Sequence, residues 1–224
     1  MKVLLVGIGR CGTISLTDGF YKQGYHTIPE PFKIDDITYK SLPEEFHFAK
    51  WTTLKEKDFY SSTHKNLMVK TLVNQTPIEY HGKIDWQTFI IEFIKEFDKI
   101  IWLDRKNLDE HFLSIINLTY RANSNKDSKA WFKKWHIDDV PQSVIDEFKQ
   151  HGVKEKLIYD KKILHDVIYK LGGNITWYED LYGEDRDKSL EIIKSWDIPN
   201  LNCNKLNHHL HPSNRLRQFE KKIL

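Results

Sequence analysis

Apolar residues fall along this chain in two rhythms: short solid runs, and stripes that recur every three or four positions. Residues 2–6 (Lys-Val-Leu-Leu-Val) make a compact run bounded by Gly7, the pattern of a strand buried on both faces. Residues 66–73 repeat it, with Lys70 inside the run or near its end. Residues 99–103 (Lys-Ile-Ile-Trp-Leu) show it most clearly and stop at Asp104-Arg105. Two shorter strands are predicted over 25–28 and 174–178. Between the runs the spacing becomes helical. A helix is expected over 14–23, closed by Gly24, with Thr13 placed to cap its start. Asp85 is placed to cap another over 86–97, where Phe89, Ile90, Phe93, Ile94 and Phe97 form one stripe. Further helices are predicted over 108–121, 142–150, 154–171 and 187–196, the third stopped by Gly172-Gly173. Pro29-Glu30-Pro31 imposes an extended or turned backbone. Residues 46–51 fit a strand or a short helix equally. The polar residues 123–128 and the tail from Pro199 read as loops. His208, His209 and His211 lie in that tail without a paired cysteine or acid at metal spacing, and read as loop histidines.

Strands alternating with helices predict an α/β fold, here a three-layer sandwich with a mainly parallel central sheet. With 224 residues and no internal repeat, the chain is expected to form a single domain over 1–224. Ligands of such sheets bind beyond the C-terminal ends of the strands. The 7–12 turn, Lys70, Arg105 and Tyr178 all fall at or just past predicted strand ends, so distant stretches should converge on one crevice.

Composition narrows the partners. The 34 basic residues nearly match the 32 acidic ones, and a net charge of +2 does not imply nucleic acid. Cys11 and Cys203 make neither a disulfide framework nor a metal site, and fit a reducing compartment. The first strand starts at residue 2, which leaves no room for a leader, and no apolar run approaches the ~20 residues that span a bilayer. A soluble, cytoplasmic protein is expected. Oligomeric state has no signature.

The chemistry is concentrated after the first strand, in Gly7-Ile8-Gly9-Arg10-Cys11-Gly12-Thr13-Ile14-Ser15. A strand, a glycine turn and a helix start gather backbone N–H groups at one point, which suits a phosphate. The spelling is G-x-G-x-x-G, the dinucleotide fingerprint, and Glu30 lies roughly where a ribose-binding acid is wanted (about 20 residues on). It is also nearly a Walker loop, but Thr13-Ile14 replaces Lys-Ser/Thr and so removes a phosphate contact and the usual Mg²⁺ ligand.

A third reading gives Arg10 a role. Gly9-Arg10-Cys11-Gly12-Thr13 resembles the Pro-Arg/Lys-Ser-Gly-Thr loop of sulfotransferases that use 3′-phosphoadenosine 5′-phosphosulfate (PAPS), with Gly9, Cys11 and Ile14 as departures. The stretch from Ile100 through Arg105 and Asn107-Leu108 to Ser114 resembles the second signature of that family, closest to its bacterial nodulation and trehalose-type branch. Thr176-Trp177-Tyr178-Glu179-Asp180-Leu181 is similar to its Tyr-Glu-Asp-Leu segment, and Pro29-Glu30-Pro31-Phe32 to its Pro-x-Glu-x-Phe segment. The four occur in the family's order.

The resemblance implies a PAPS-dependent sulfotransferase that needs no metal. Gly9, Arg10, Cys11, Gly12, Thr13, Ile14 and Ser15 would bind the 5′-phosphosulfate, and Arg105 and Ser114 the 3′-phosphate. Tyr178 would stand near the adenine. Glu30 would be the base, with His111 in reserve, and Lys70 a second cation beside the transferring group. Arg215 and Arg217 would close over the 3′-phosphate or form a solvated tail. The acceptor would be a hydroxyl, less readily an amine, on a carbohydrate or small molecule. Trp51, Phe59, Tyr60, Trp131, Phe132 and Trp135 could stack on it or build core. Two rival readings are an NAD(P)-dependent oxidoreductase and a nucleotide-binding protein without catalysis.

Overall fold

The computed structural model describes residues 1–30, 66–75, 84–124 and 140–211. Five strands form one parallel sheet: β1 (Lys2–Gly7), β2 (His26–Pro29), β3 (Leu67–Leu72), β4 (Lys99–Asp104) and β5 (Ile175–Trp177). Their spatial order is β2-β3-β1-β4-β5, so β1 lies at the centre. Lys2 to Gly7 pair with Leu67 to Leu72 on one side, and Val3 to Gly7 with Lys99 to Leu103 on the other. Val3, Leu4, Leu5 and Val6 are all fully buried, so β1 is covered on both faces, as its unbroken apolar run requires. The α/β architecture and the parallel sheet are as expected.

The helices among the described residues are α1 (Thr13–Tyr21), α2 (Trp86–Phe93), α3 (Leu108–Ser124), α4 (Gln142–Gln150), α5 (Val153–Lys170), α6 (Tyr178–Tyr182), α7 (Arg186–Ser195) and α8 (Cys203–Leu210). Asp85 caps α2 as its position predicts, its carboxylate accepting from Thr88 N at 2.7 Å. No described helix is long and apolar enough to cross a membrane.

Several elements differ from the pattern. Thr13 is not a cap but the first helical residue; Gly12 holds the N-cap position in the left-handed region (φ 79°), and no side chain caps α1. Among the described residues the first-turn amides of α1 therefore have no side-chain cap. The stripe expected over 86–97 breaks after Phe93 into a 3-10 turn, Ile94–Glu96, and Phe97 is extended. The chain must straighten there, because Asp98 N already bonds Lys2 O beside β1. The strand expected over 174–178 is only three residues long: it pairs with Trp102 to Asp104, and once β4 ends Tyr178 begins α6. Residues 123 and 124 belong to α3 rather than to a loop.

The tail from Pro199 is not loop throughout. Its α8 is capped by Asn202, and its buried Leu206 and Leu210 lie one turn apart. It packs on α1 at Gly19, where a Cβ would come within 2.4 Å of Leu206 Cδ1. The polar residues around the two leucines hide that stripe in the sequence. His208 and His209 are thus helical; His209 Nε2 lies 3.2 Å from Asp18 Oδ2, and buried His211 donates to Leu181 O at 3.0 Å. The segments 31–65, 76–83, 125–139 and 212–224 lie outside the described residues, and with them the reading of 46–51, all six aromatics named for the acceptor, Arg215 and Arg217.

Candidate functional site

All five strands point the same way, so the turns after β1, β3, β4 and β5 share one sheet edge. The turn after β1 is tight because Gly7 cannot carry a side chain: a Cβ there would stand 2.8 Å from Leu103 O. Arg10 (φ 71°) and Gly12 (φ 79°) are left-handed on either side of Cys11, a conformation costly for arginine and accepted only where the surroundings impose it. Cys11 turns its side chain inward and is fully buried, with Sγ 3.8 Å from Asp104 Oδ1. Burial pushes the thiol well above its ordinary pKa, with the Asp104 carboxylate acting the same way. Cys11 can serve a ligand through its backbone N–H, not its thiol. Ile14 is 67% exposed and Ser15 is exposed, both on the open first turn of α1.

Arg10 and Ser114 meet although they lie 104 positions apart, Nε donating to the serine Oγ at 3.2 Å. Arg105 follows β4 and lies over Tyr178, its Cζ 4.3 Å from the ring centroid. Its side chain is only 12% exposed; Glu110 Oε2 is 3.4 Å away and Glu179 Oε1 is 3.8 Å away. Buried Arg105 Nε has no hydrogen-bond partner. Desolvation lowers the Arg10 pKa, and the Arg105 guanidinium presses in the same direction, opposed by Tyr178. Two guanidinium groups, one of them flanked by the Glu110 and Glu179 carboxylates, a serine hydroxyl and an aromatic face thus stand together at the mouth of the glycine turn.

Glu30 and Lys70 form a second group. Lys70 is not past the end of β3 but inside it, buried, at the level of Leu5. Its Nζ lies 2.5 Å from Glu30 Oε1, and Gln75 Nε2 donates to Glu30 Oε2 at 3.2 Å. The Glu30 N–H also bonds Lys70 O at 2.7 Å, and Glu30 is left-handed (φ 49°). The carboxylate is therefore aimed from both ends. Because β3 separates β2 from β1, Glu30 follows a strand about two spacings, or roughly 10 Å, from β1, while Lys70 lies on β3, about one spacing, or roughly 5 Å, away.

Beneath the turn lies a polar network that the sequence pattern did not reveal. Asp104 is fully buried; its Oδ1 accepts from Lys161 Nζ at 2.7 Å and from Arg105 N at 2.7 Å, and its Oδ2 lies 2.8 Å from His165 Nε2. Lys161 also donates to Arg105 O at 2.5 Å. The strand end that carries Arg105 is thus clamped by α5. Glu179 accepts from the backbone N–H of Lys106 at 2.8 Å and of Asn107 at 3.3 Å, so it shapes the turn into α3. Asp180 joins Lys106 to Lys188.

His111 is fully buried and its Nε2 donates to Gly9 O at 2.7 Å. Burial lowers its pKa to about 4, so it is neutral at neutral pH and carries its proton on Nε2. It faces the loop from behind rather than any open space, which removes it as the reserve base. The ligand atoms of Cys11, Asp104 and His111 lie within 4.8 Å of one another, the spacing of a metal site. In this structure Asp104 Oδ1 accepts from the Lys161 ammonium, His111 Nε2 donates to Gly9 O, and His111 Nδ1 has no hydrogen-bond partner among the described residues.

Away from this edge, an apolar groove of about 630 Å³ runs beside β5, lined by Ile100, Trp102, Ile175 and Trp196 among others; none of the proposed ligand contacts lines it. No family model and no curated protein matches this chain.

Proposed function

We propose that the chain is a cytoplasmic sulfotransferase that moves a sulfuryl group from PAPS to a hydroxyl, on a carbohydrate or other small molecule, within one three-layer α/β domain. The observation that carries this reading is the pairing of Arg105 over Tyr178 with Arg10 on Ser114, at the mouth of a turn whose helix amides are uncapped. Among the described residues the buried Nε of Arg105 makes no hydrogen bond, its nearest acid being Glu179 Oε1 at 3.8 Å, and a phosphate oxygen could take the bond that this atom does not make. Strand order also weighs against the dinucleotide reading. There the acidic residue ends the strand beside β1, whereas here β3 intervenes and Glu30 is engaged with Lys70. The free thiols of Cys11 and Cys203 fit a reducing compartment.

The loop amides, with the Arg10 guanidinium, bind the 5′-phosphosulfate. Arg105 and Ser114 hold the 3′-phosphate, and Tyr178 lies against the adenine. The acceptor oxygen attacks sulfur in line with the bond to the 5′-phosphate oxygen. That bond breaks as the new S–O bond forms, and adenosine 3′,5′-bisphosphate leaves. Glu30 takes the acceptor's proton, and Lys70 stabilises charge near the transferring group. As in phosphoryl transfer, positioning and charge stabilisation do most of the work.

The direct test is transfer of labelled sulfate from PAPS to a panel of sugars and small hydroxyl compounds. Label in an acceptor, with release of the bisphosphate, is the expected result. Binding of PAPS without turnover on any acceptor would favour the non-catalytic reading instead.

A further inference from the structure

The carbonyls at the two ends of the glycine turn are each held from behind by a side chain, the fully buried His111 and the half-buried Tyr182. His111 Nε2 donates to Gly9 O at 2.7 Å, and Tyr182 Oη donates to Gly12 O at 2.6 Å. In a planar trans peptide the C=O and the following N–H point in opposite directions. A carbonyl of Gly9 drawn inward turns the N–H of Arg10 outward, and the Gly12 carbonyl, which Leu16 N also holds at 3.2 Å, does the same for the N–H of Thr13. The geometry points to His111 and Tyr182 as positioning residues that aim the amides of the 9–13 loop at the 5′-phosphate group. This rests on the sulfotransferase reading, in which that loop takes the phosphosulfate.

Further observations support it. The loop needs holding, because Arg10 and Gly12 are both left-handed and an arginine does not rest there unaided. Tyr182 packs tightly against the turn: a Cβ at Gly12 would lie 2.5 Å from its ring. Burial raises the Tyr182 pKa above its ordinary value, which keeps its hydroxyl a donor. The two side chains also come from the elements that carry the other contacts. His111 lies one turn before Ser114 on α3, and Tyr182 one turn after Tyr178 on α6, with the tyrosine rings stacked at 4.8 Å. Each helix therefore presents one residue to the nucleotide, Ser114 to the 3′-phosphate and Tyr178 to the adenine, and one to the back of the loop. Among the described residues His111 Nδ1 has no hydrogen-bond partner, and the ring's contacts are made at Nε2, to Gly9 O and, at 3.6 Å, to Cys11 Sγ.

Calorimetric titration of the full chain with adenosine 3′,5′-bisphosphate and with adenosine 3′-monophosphate separates positioning from mere stability. Tyr182→Phe keeps the ring and removes the donor. It is expected to weaken the bisphosphate about tenfold, the worth of one strong hydrogen bond, and to leave the 3′-monophosphate within about twofold. His111→Leu should act alike, and His111→Gln, which restores an N–H donor, should recover most of the affinity. An equal weakening for both nucleotides, or none for either, would overturn the assignment. Should His111→Leu not fold, Tyr182→Phe alone decides, since its shape is unchanged. A wild-type protein that binds the two nucleotides equally, or neither, would overturn the phosphosulfate loop itself and this inference with it.

Discussion

Arg105→Ala is expected to weaken adenosine 3′,5′-bisphosphate by about 30- to 300-fold, roughly two to three kcal/mol for removing a charge-assisted hydrogen bond from a half-dry site. Adenosine 5′-monophosphate, which lacks the 3′-phosphate, should bind the variant almost as it binds the wild type. The asymmetry follows from where the guanidinium sits. It is nearly buried over Tyr178, with Glu110 at 3.4 Å and Glu179 3.8 Å from its Nε, which makes no hydrogen bond among the described residues. The fold should survive the change. Asp104 keeps Lys161, and Glu179 keeps the Lys106 and Asn107 amides whatever side chain stands at 105. Calorimetry with both nucleotides reads the result; an equal weakening for the two would remove Arg105 from the 3′-phosphate.

Glu30→Gln is expected to lower sulfuryl transfer by about 10²- to 10⁴-fold, the usual range when a general base is removed, while PAPS affinity changes little. The glutamine keeps the length of the side chain and its place beside Gln75. Lys70, however, is buried and is deprived of a carboxylate 2.5 Å away, so the variant should also be less stable, on the order of 3 kcal/mol. That destabilisation appears in urea unfolding and does not touch turnover of the folded fraction, so rates are to be measured at saturating PAPS with the folded fraction known. Normal turnover in the variant would show that the base lies elsewhere.

Most of the sheet was legible because buried strands need solid apolar runs. The runs at 2–6, 66–73 and 99–103 became β1, β3 and β4, each within a residue or so. Their parallel pairing followed from the helices between them, and the gathering of the glycine turn, Arg105 and Tyr178 at one edge followed from strand ends alone. Strand order did not: nothing local in the sequence says that β3, rather than β2, pairs with β1. Short-range signals failed where tertiary contacts override them. Thr13 has the chemistry of a cap, but the left-handed turn at Gly12 starts the helix one residue too early for it to act. The helix α8 packs against Gly19 through Leu206, a contact no window of sequence contains. The groups that hold the site from behind, Asp104, Lys161, His165, His111 and Tyr182, were illegible for the same reason. Each is ordinary in its own helix or strand and acquires its role only from partners 57 to 170 positions away.

The central claim is that the glycine turn and the two arginines form a site for a nucleotide phosphorylated at both its 3′ and 5′ positions. Thermal unfolding of the intact protein with adenosine 3′,5′-bisphosphate, NAD(H) or ATP, in the absence of added metal, tests it most directly. A rise in midpoint with the bisphosphate, and none of comparable size with the other two, is the predicted result. Stabilisation by NAD(H) alone would contradict it and return the turn to the dinucleotide reading.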